Sequence, residues 1–292
     1  MDYGYDYLEE HKWMNGKGDK WRGGWSSQYA DNFDSIFGKR KKVMSRVFIF
    51  DVDGTLTPSR QKMTEEFLEF FDEWSKRNPF YLVTGSDIEK MDEQVPDIIM
   101  ERTEGIFTCG GNELWKFDPH IVNFPFDRIY QNKFKPPETL LTYLGELVRF
   151  SETPVQSTKH RENRGSLLNF SVVGRDCTLE ERQQYFEWDN KVGERREIAE
   201  YITRTWPKLD AVIGGQISID IVPKGKDKSQ VLDVIKQERL VQPDKYIFLG
   251  DRIEEGGNDY PLAKLMGETK GCGYYKVEVY KETKQILESL ND

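Results

Sequence analysis

Cysteine is scarce: the 292 residues include three, Cys109, Cys177 and Cys272. They stand far apart and form no Cys-x-x-Cys pair, which speaks against a thiolate metal cluster and for ordinary reduced thiols. Long apolar runs are missing as well. None approaches the ~20 residues of a membrane span, so no membrane partner is expected. The first residues carry no apolar signal core, and a cytoplasmic location is expected. Positive charge is in deficit, with 42 Lys and Arg against 51 Asp and Glu, a net charge of -9. That balance argues against nucleic acid as the main partner. Internal repeats are absent. What remains is 37% hydrophobic and 13% aromatic, long enough for one large domain or two modest ones and able to bury at least one core.

Residues 1–43 differ from the rest. They are poor in Leu, Ile and Val, and Tyr3, Tyr5, Tyr7, Trp13, Trp21 and Trp25 follow no helix or strand period. The stretch ends in Lys39-Arg40-Lys41-Lys42. It reads as a poorly ordered extension, or as an arm that docks aromatics on a partner. From Val47 the pattern alternates between strand and helix. Val47–Phe50, Phe80–Val83, Ile106–Cys109 and Tyr246–Leu249 are short apolar runs, the mark of strands buried on both faces. Phe67, Leu68, Phe70, Phe71 and Trp74 recur at helical spacing, and Ser86 with Glu89 reads as a capping box. Such alternation predicts an α/β fold with a parallel, Rossmann-like sheet.

The middle reads differently. Leu167–Val173 and Gln216–Val222 alternate in character, with Ile217, Ile219 and Ile221 on one face and Gln216, Ser218 and Asp220 on the other. Helices fit Thr139–Phe150, Thr178–Trp188 and Glu194–Trp206. The expected division is a core over 44–124 and 225–292 with an α+β cap inserted at 125–224.

The strongest chemical signal is Asp51-Val-Asp53-Gly54-Thr-Leu-Thr57, directly after a buried strand. Ligands of open α/β sheets bind beyond the carboxyl ends of the strands. There Asp51 can attack phosphorus in line, and Asp53 can protonate the leaving oxygen and deprotonate the incoming one. Gly54 allows a sharp turn whose amide approaches phosphate.

This string resembles the first motif of the haloacid dehalogenase (HAD) superfamily, and its extension Thr57-Pro-Ser-Arg60-Gln-Lys resembles the eukaryotic-type phosphomannomutases. Val83-Thr84-Gly85-Ser86-Asp87 resembles the second motif, in which either Thr84 or Ser86 supplies a hydroxyl to the transferring phosphoryl group. The mutases usually carry Gly where Thr84 stands. Lys228 resembles the third-motif lysine. Leu249-Gly250-Asp251-Arg252-Ile253 through Gly256-Gly257-Asn258-Asp259 resembles the fourth, with Arg252-Ile253 in place of the usual Lys-Thr.

The resemblance implies Mg²⁺ held by Asp51, the Asp53 carbonyl and Asp251, with Asn258 or Asp259 completing or supporting the sphere. The segment Asn163–Arg182 is similar to the mutase cap and places Arg164, Arg175 and Arg182 at matching positions. Gly214-Gly215-Gln216-Ile-Ser218-Ile-Asp220 matches as well. Arg60, Thr84, Gly85, Ser86, the three arginines, Ser218 and Asp220 are thereby implied to bind substrate. The implied activity interconverts mannose 6-phosphate and mannose 1-phosphate, primed by a hexose 1,6-bisphosphate, on a HAD core with a C2-type cap that also forms a homodimer. A sugar-phosphate phosphatase on the same fold is the alternative. A third is a non-catalytic binding protein working through residues 1–43.

Overall fold

The computed structural model describes residues 45–291, so the reading of 1–43 as an extension or arm lies outside the described residues. The chain opens with β1 (Arg46–Asp51), followed by α1 (Glu65–Ser75), β2 (Phe80–Val83), α2 (Ile88–Gln94) and the short α3 (Asp97–Met100). Next come β3 (Ile106–Thr108), β4 (Glu113–Phe117) and β5 (Phe126–Gln131). A middle stretch holds α4 (Glu138–Phe150), β6 (Arg161–Asn163), β7 (Leu168–Phe170), α5 (Leu179–Val192), α6 (Glu194–Thr205), β8 (Leu209–Gly214) and β9 (Ser218–Pro223). The chain closes with α7 (Gln230–Glu238), β10 (Lys245–Gly250), α8 (Tyr260–Glu268), β11 (Cys272–Lys276) and α9 (Tyr280–Asn291).

The larger sheet has the order β11-β10-β1-β2-β3-β4-β5. Its first five strands are parallel, and β4 and β5 add an antiparallel edge. The period of two in β1 divides the core. Phe48 and Phe50 face Phe67, Phe71 and Trp74 of α1, and Val47 and Ile49 face Val231, Leu232 and Ile235 of α7 with Leu262 and Met266 of α8. With both faces covered, the strand must be apolar throughout until the chain leaves the sheet at Asp51. The smaller sheet is antiparallel, ordered β6-β7-β9-β8. Leu140, Leu144, Tyr185, Ile198 and Ile202 from α4, α5 and α6 cover one face, against Phe170, Ile219 and Ile221.

Four sequence expectations need correction. The strand β5 pairs with β4, so Phe126–Gln131, expected in the inserted part, belong to the larger sheet. Phe126 is buried among the core aromatics, while Pro119 and Pro125 give the hairpin loop the look of a linker. Helix α2 is capped by Asp87, whose carboxylate accepts from Lys90 N at 3.1 Å, not by Ser86. The stretches expected to alternate are buried on both faces around β7 and along nearly all of β9, because the polar face closes over a cavity instead of water. Gln216 lies in the turn before β9, and β8, its hairpin partner, was not anticipated.

Candidate active site

The strands β1, β2 and β10 end their carboxyl edges on one cleft. Asp51 terminates β1 and is 3% exposed. Its Oδ1 accepts from Lys228 Nζ at 2.5 Å and its Oδ2 from Thr55 Oγ at 3.3 Å. Lys228, itself buried, also donates to Asp259 Oδ1 at 2.6 Å. The turn before α7 fixes this lysine, since Asp227 accepts from both the amide and the hydroxyl of Ser229. Burial works against the ammonium, but Asp259 and Asp51 outweigh it and hold Lys228 charged well beyond the ordinary range.

Asp51, Asp251 and Asp259 each offer an oxygen, all within 4.8 Å of one another. Burial, and next the neighbouring Asp259, raises Asp51 well above the carboxylate range. The same two causes push Asp251 up to about 7. Beside them Asn258 Oδ1 is buried with no hydrogen-bond partner among the described residues. Gly54, at φ +87°, adjoins this group, and a Cβ there would stand 2.5 Å from Asp251 Oδ2. Three crowded carboxylates against one ammonium, with an orphaned amide oxygen, form a hard-oxygen set that fits a divalent cation such as Mg²⁺.

The pH dependence of stability tests that fit. Asp251 titrates higher in the folded chain than in the unfolded one, so folded protein binds more protons between about 3.8 and about 7. Metal-free stability is therefore expected to fall as pH rises through that window and to level off above it. A divalent ion competes with those protons. The gain in Tm from Mg²⁺ should be clearly larger at pH 8 than at pH 5, and equal gains would place the metal elsewhere.

Asp53 is oriented from one side. Its Oδ1 accepts from Arg60 N at 2.6 Å and from Gln94 Nε2 at 2.9 Å. Both donors sit on one oxygen, which leaves the other for a reacting group. In the second-motif turn, Thr84 Oγ accepts from Ser86 N at 3.0 Å. The cavity over these groups is about 280 Å³, with Asp51, Asp53 and Arg60 toward the core and Arg164, Arg175 and Asp220 on the smaller sheet.

Thr84, Gly85, Ser86, Ser218, Asp251 and Asn258 also line this cavity. Lys228 and Asp259 lie beneath it. Arg182 does not line it. It is 5% exposed, its Nη1 lacks a hydrogen-bond partner among the described residues, and burial with the charge of nearby Arg175 makes its guanidinium more acidic than usual. Arg60 is shifted the same way by burial and then by Arg182. Arg175 donates to Asn169 Oδ1 and to Ser218 Oγ at 3.4 Å, and its Nε forms an ion pair with Glu162 Oε2 at 2.9 Å. Asn169 in turn donates to Asp220 Oδ1 at 2.6 Å.

Sequence reasoning passed over Gln94, Glu162 and Asn169. Glu162 lies two residues before Arg164, and that period-two spacing puts both on one face of a strand, a signal that was available. Gln94 gives no such signal, because one amide on an amphipathic helix looks like any solvated residue.

With this geometry in hand, likeness to known proteins can be stated. The fold is shared with IMP-bound, N-terminally truncated IMP-nucleotidase of Plasmodium falciparum, with a TM-score of 0.55, 14% identity, and coverage of 86% of this chain and 69% of that one. It is shared also with a haloacid dehalogenase-like hydrolase from Bacteroides thetaiotaomicron, with a TM-score of 0.50, 15% identity, and coverage of 84% of this chain and 99% of that one. The class is therefore the haloacid dehalogenase fold. Residues 67–291 match the family described as eukaryotic phosphomannomutase. A probable phosphomannomutase of Caenorhabditis elegans is 32% identical over 251 residues, 84% of this chain and 94% of that protein. The chain belongs to the eukaryotic phosphomannomutase family.

Proposed function

We propose that this protein interconverts mannose 6-phosphate and mannose 1-phosphate through a phosphorylated Asp51. The observation that carries the reading is the two-sided cavity, with a buried carboxylate nucleophile on one wall and guanidiniums on the other. Asp51 Oδ attacks the phosphorus of a hexose 1,6-bisphosphate. The bond from phosphorus to the sugar oxygen breaks as a bond to Asp51 forms, and Asp53 gives its proton to the departing oxygen. The phosphorylated Asp51 then meets a mannose monophosphate, Asp53 takes the proton of its free oxygen, and the phosphoryl group passes to that oxygen to give a bisphosphate, which turns round and returns its other phosphoryl group to Asp51. Asp51, the Asp53 carbonyl and Asp251, with Asn258 beside them, would hold a divalent cation, which would supply charge stabilisation to a phosphoryl group. Lys228 neutralises Asp51 and keeps it aligned, while Asp259 holds Lys228. The amides of the Gly85–Ser86 turn and the hydroxyls of Thr84 and Ser86 receive the transferring phosphoryl oxygens. Arg60, Arg164 and Arg175 with Ser218 receive the phosphate that stays on the sugar, Arg182 adds its charge beside Arg60 and Arg175, and Asp220 meets the sugar hydroxyls. The smaller sheet with its helices serves as the cap.

A cytoplasmic location and a homodimer through the cap belong to the same reading. No helix among the described residues is long and apolar enough to cross a membrane. Phe150, Leu179, Val192 and Tyr201 on α4, α5 and α6 stay exposed, which suits a face that meets a second copy. A ³¹P NMR time course with mannose 1-phosphate, Mg²⁺ and a trace of glucose 1,6-bisphosphate tests the activity. A growing mannose 6-phosphate signal without inorganic phosphate is the expected result. Inorganic phosphate alone would keep the fold and Asp51 and make the protein a sugar-phosphate phosphatase.

A further inference from the structure

Arg195 stands in the first turn of α6, buried and outside the lining of the cavity. A cation there opposes the helix dipole, and a buried charge needs a partner. Asp189, in the last turn of α5, meets both needs. Its Oδ1 accepts the Arg195 amide at 2.8 Å, one of the first-turn amides that a helix leaves unsatisfied, and its Oδ2 accepts from Arg195 Nε at 2.7 Å. Gly193, at φ +81°, turns the chain between the two helices. Stability alone is a weak reason for such a pair, since apolar side chains of the same volume serve as well. The guanidinium makes one further bond. Its Nη1 donates to the Gly215 carbonyl at 3.0 Å, in the turn between β8 and β9 that forms part of the cavity wall.

We infer that Arg195 is a positioning residue for the sugar side of the cavity, which clamps the Gly214–Gly215 turn from the helix layer and through it sets Ser218 and Asp220. Two successive glycines leave a turn wide conformational freedom, and Gly215 takes the left-handed region at φ +52°. A charged donor on its carbonyl removes much of that freedom. The neighbouring Gly214 passes the constraint on. It pairs with Ser218 across the hairpin, and it packs so closely on Asp220 that a Cβ there would stand 2.7 Å from Asp220 Oδ2. If the turn moves, both side chains lose their backing. The bonds of Arg195 reach none of the groups around Asp51, so its influence is confined to the half of the site that holds the sugar and its resident phosphate.

The inference rests on the reading that the cavity takes a hexose phosphate, and the test keeps the two apart. Arg195→Met alone would strand the buried Asp189, so the variant of choice is Asp189→Asn with Arg195→Met. It removes both charges and keeps an acceptor for the first-turn amide of α6. Calorimetric binding of mannose 6-phosphate is expected to weaken roughly tenfold, the scale for loss of a hydrogen bond to a charged group. Phosphorylation of Asp51 by acetyl phosphate with Mg²⁺, in which acetate leaves and no sugar is needed, should keep the wild-type rate. Hydrogen exchange at the amides of 214–218 should accelerate. Adding Asp220→Asn should cost less affinity in this variant than in wild type, because the two changes act on one turn. Equal losses in sugar binding and in the acetyl phosphate rate would mean a general structural role and overturn the inference. Fully additive losses, or unchanged affinity, would overturn it as well. A wild-type protein that neither binds mannose 6-phosphate nor accepts a phosphoryl group would refute the functional reading instead, and hydrogen exchange over 214–218 would still decide the clamp.

Discussion

Asp51→Asn is expected to lower mutase turnover by roughly 10³-fold or more, the scale for loss of a covalent nucleophile. The same variant should show no phosphoenzyme when given labelled hexose bisphosphate. Asparagine keeps the shape but cannot form the acyl phosphate, and Asp53 and Lys228 stay in place. Stability should not follow activity. Asp51 is a buried carboxylate crowded by Asp259 and Asp251, and its neutralisation removes repulsion while Lys228 keeps Asp259 as partner. In metal-free buffer the Tm of the variant should match or exceed that of wild type. Turnover within tenfold of wild type would sink the proposed chemistry, whatever the fold.

Lys228→Met carries the largest expected cost in stability. Methionine fills much the same space and supplies no charge. It would leave Asp51 and Asp259, now paired to one ammonium at 2.5 and 2.6 Å, facing each other unpaired in the interior. Breaking a buried pair from one side costs about 3–5 kcal/mol, on the order of a 10 °C drop in Tm for a chain of this size. The sign with pH follows. The ammonium is raised above its ordinary 10.5, so its contribution in wild type is complete below that value and is lost only in strong alkali. In the variant, protons can neutralise the stranded carboxylates. The deficit should therefore shrink toward pH 5 and be largest near pH 8, as urea unfolding at the two pH values would show. A deficit independent of pH would mean that packing, not charge, had been lost.

Much of this was legible in the sequence, and the reason differs from element to element. The core strands Val47–Phe50 and Tyr246–Leu249 could be read because burial on both faces permits only apolar residues, and because a loop rich in Asp and Gly follows each. Lys228 was read through its resemblance to a motif; its distance to Asp51, across 177 positions of sequence, is a product of the fold alone. The smaller sheet was read less well. Its polar face seals a cavity, so Ser218, Asp220 and Asn169 are buried and the rule that polar means exposed fails there. The antiparallel edge β4–β5 was missed at both strands, the second because Asp127, Arg128 and Ile129 are exposed, as an edge strand allows. Gln94 could not be found at all, since its meaning lies in a hydrogen bond to a carboxylate 41 positions away.

The size of the cavity has a kinetic consequence. At about 280 Å³ it sits just under the usual range for small-molecule pockets, ~300–1,000 Å³. On the proposed chemistry, a hexose bisphosphate that must offer first one end and then the other to a single aspartate has little room to tumble there while the two sheets stay together. Reorientation then becomes a gated event, in which each productive cycle includes one parting of the sheets and one re-docking. On that chemistry both phosphoryl groups ride on the sugar in the interval and Asp51 is bare, so the enzyme keeps its phosphoryl group only as often as the bisphosphate re-docks before it escapes.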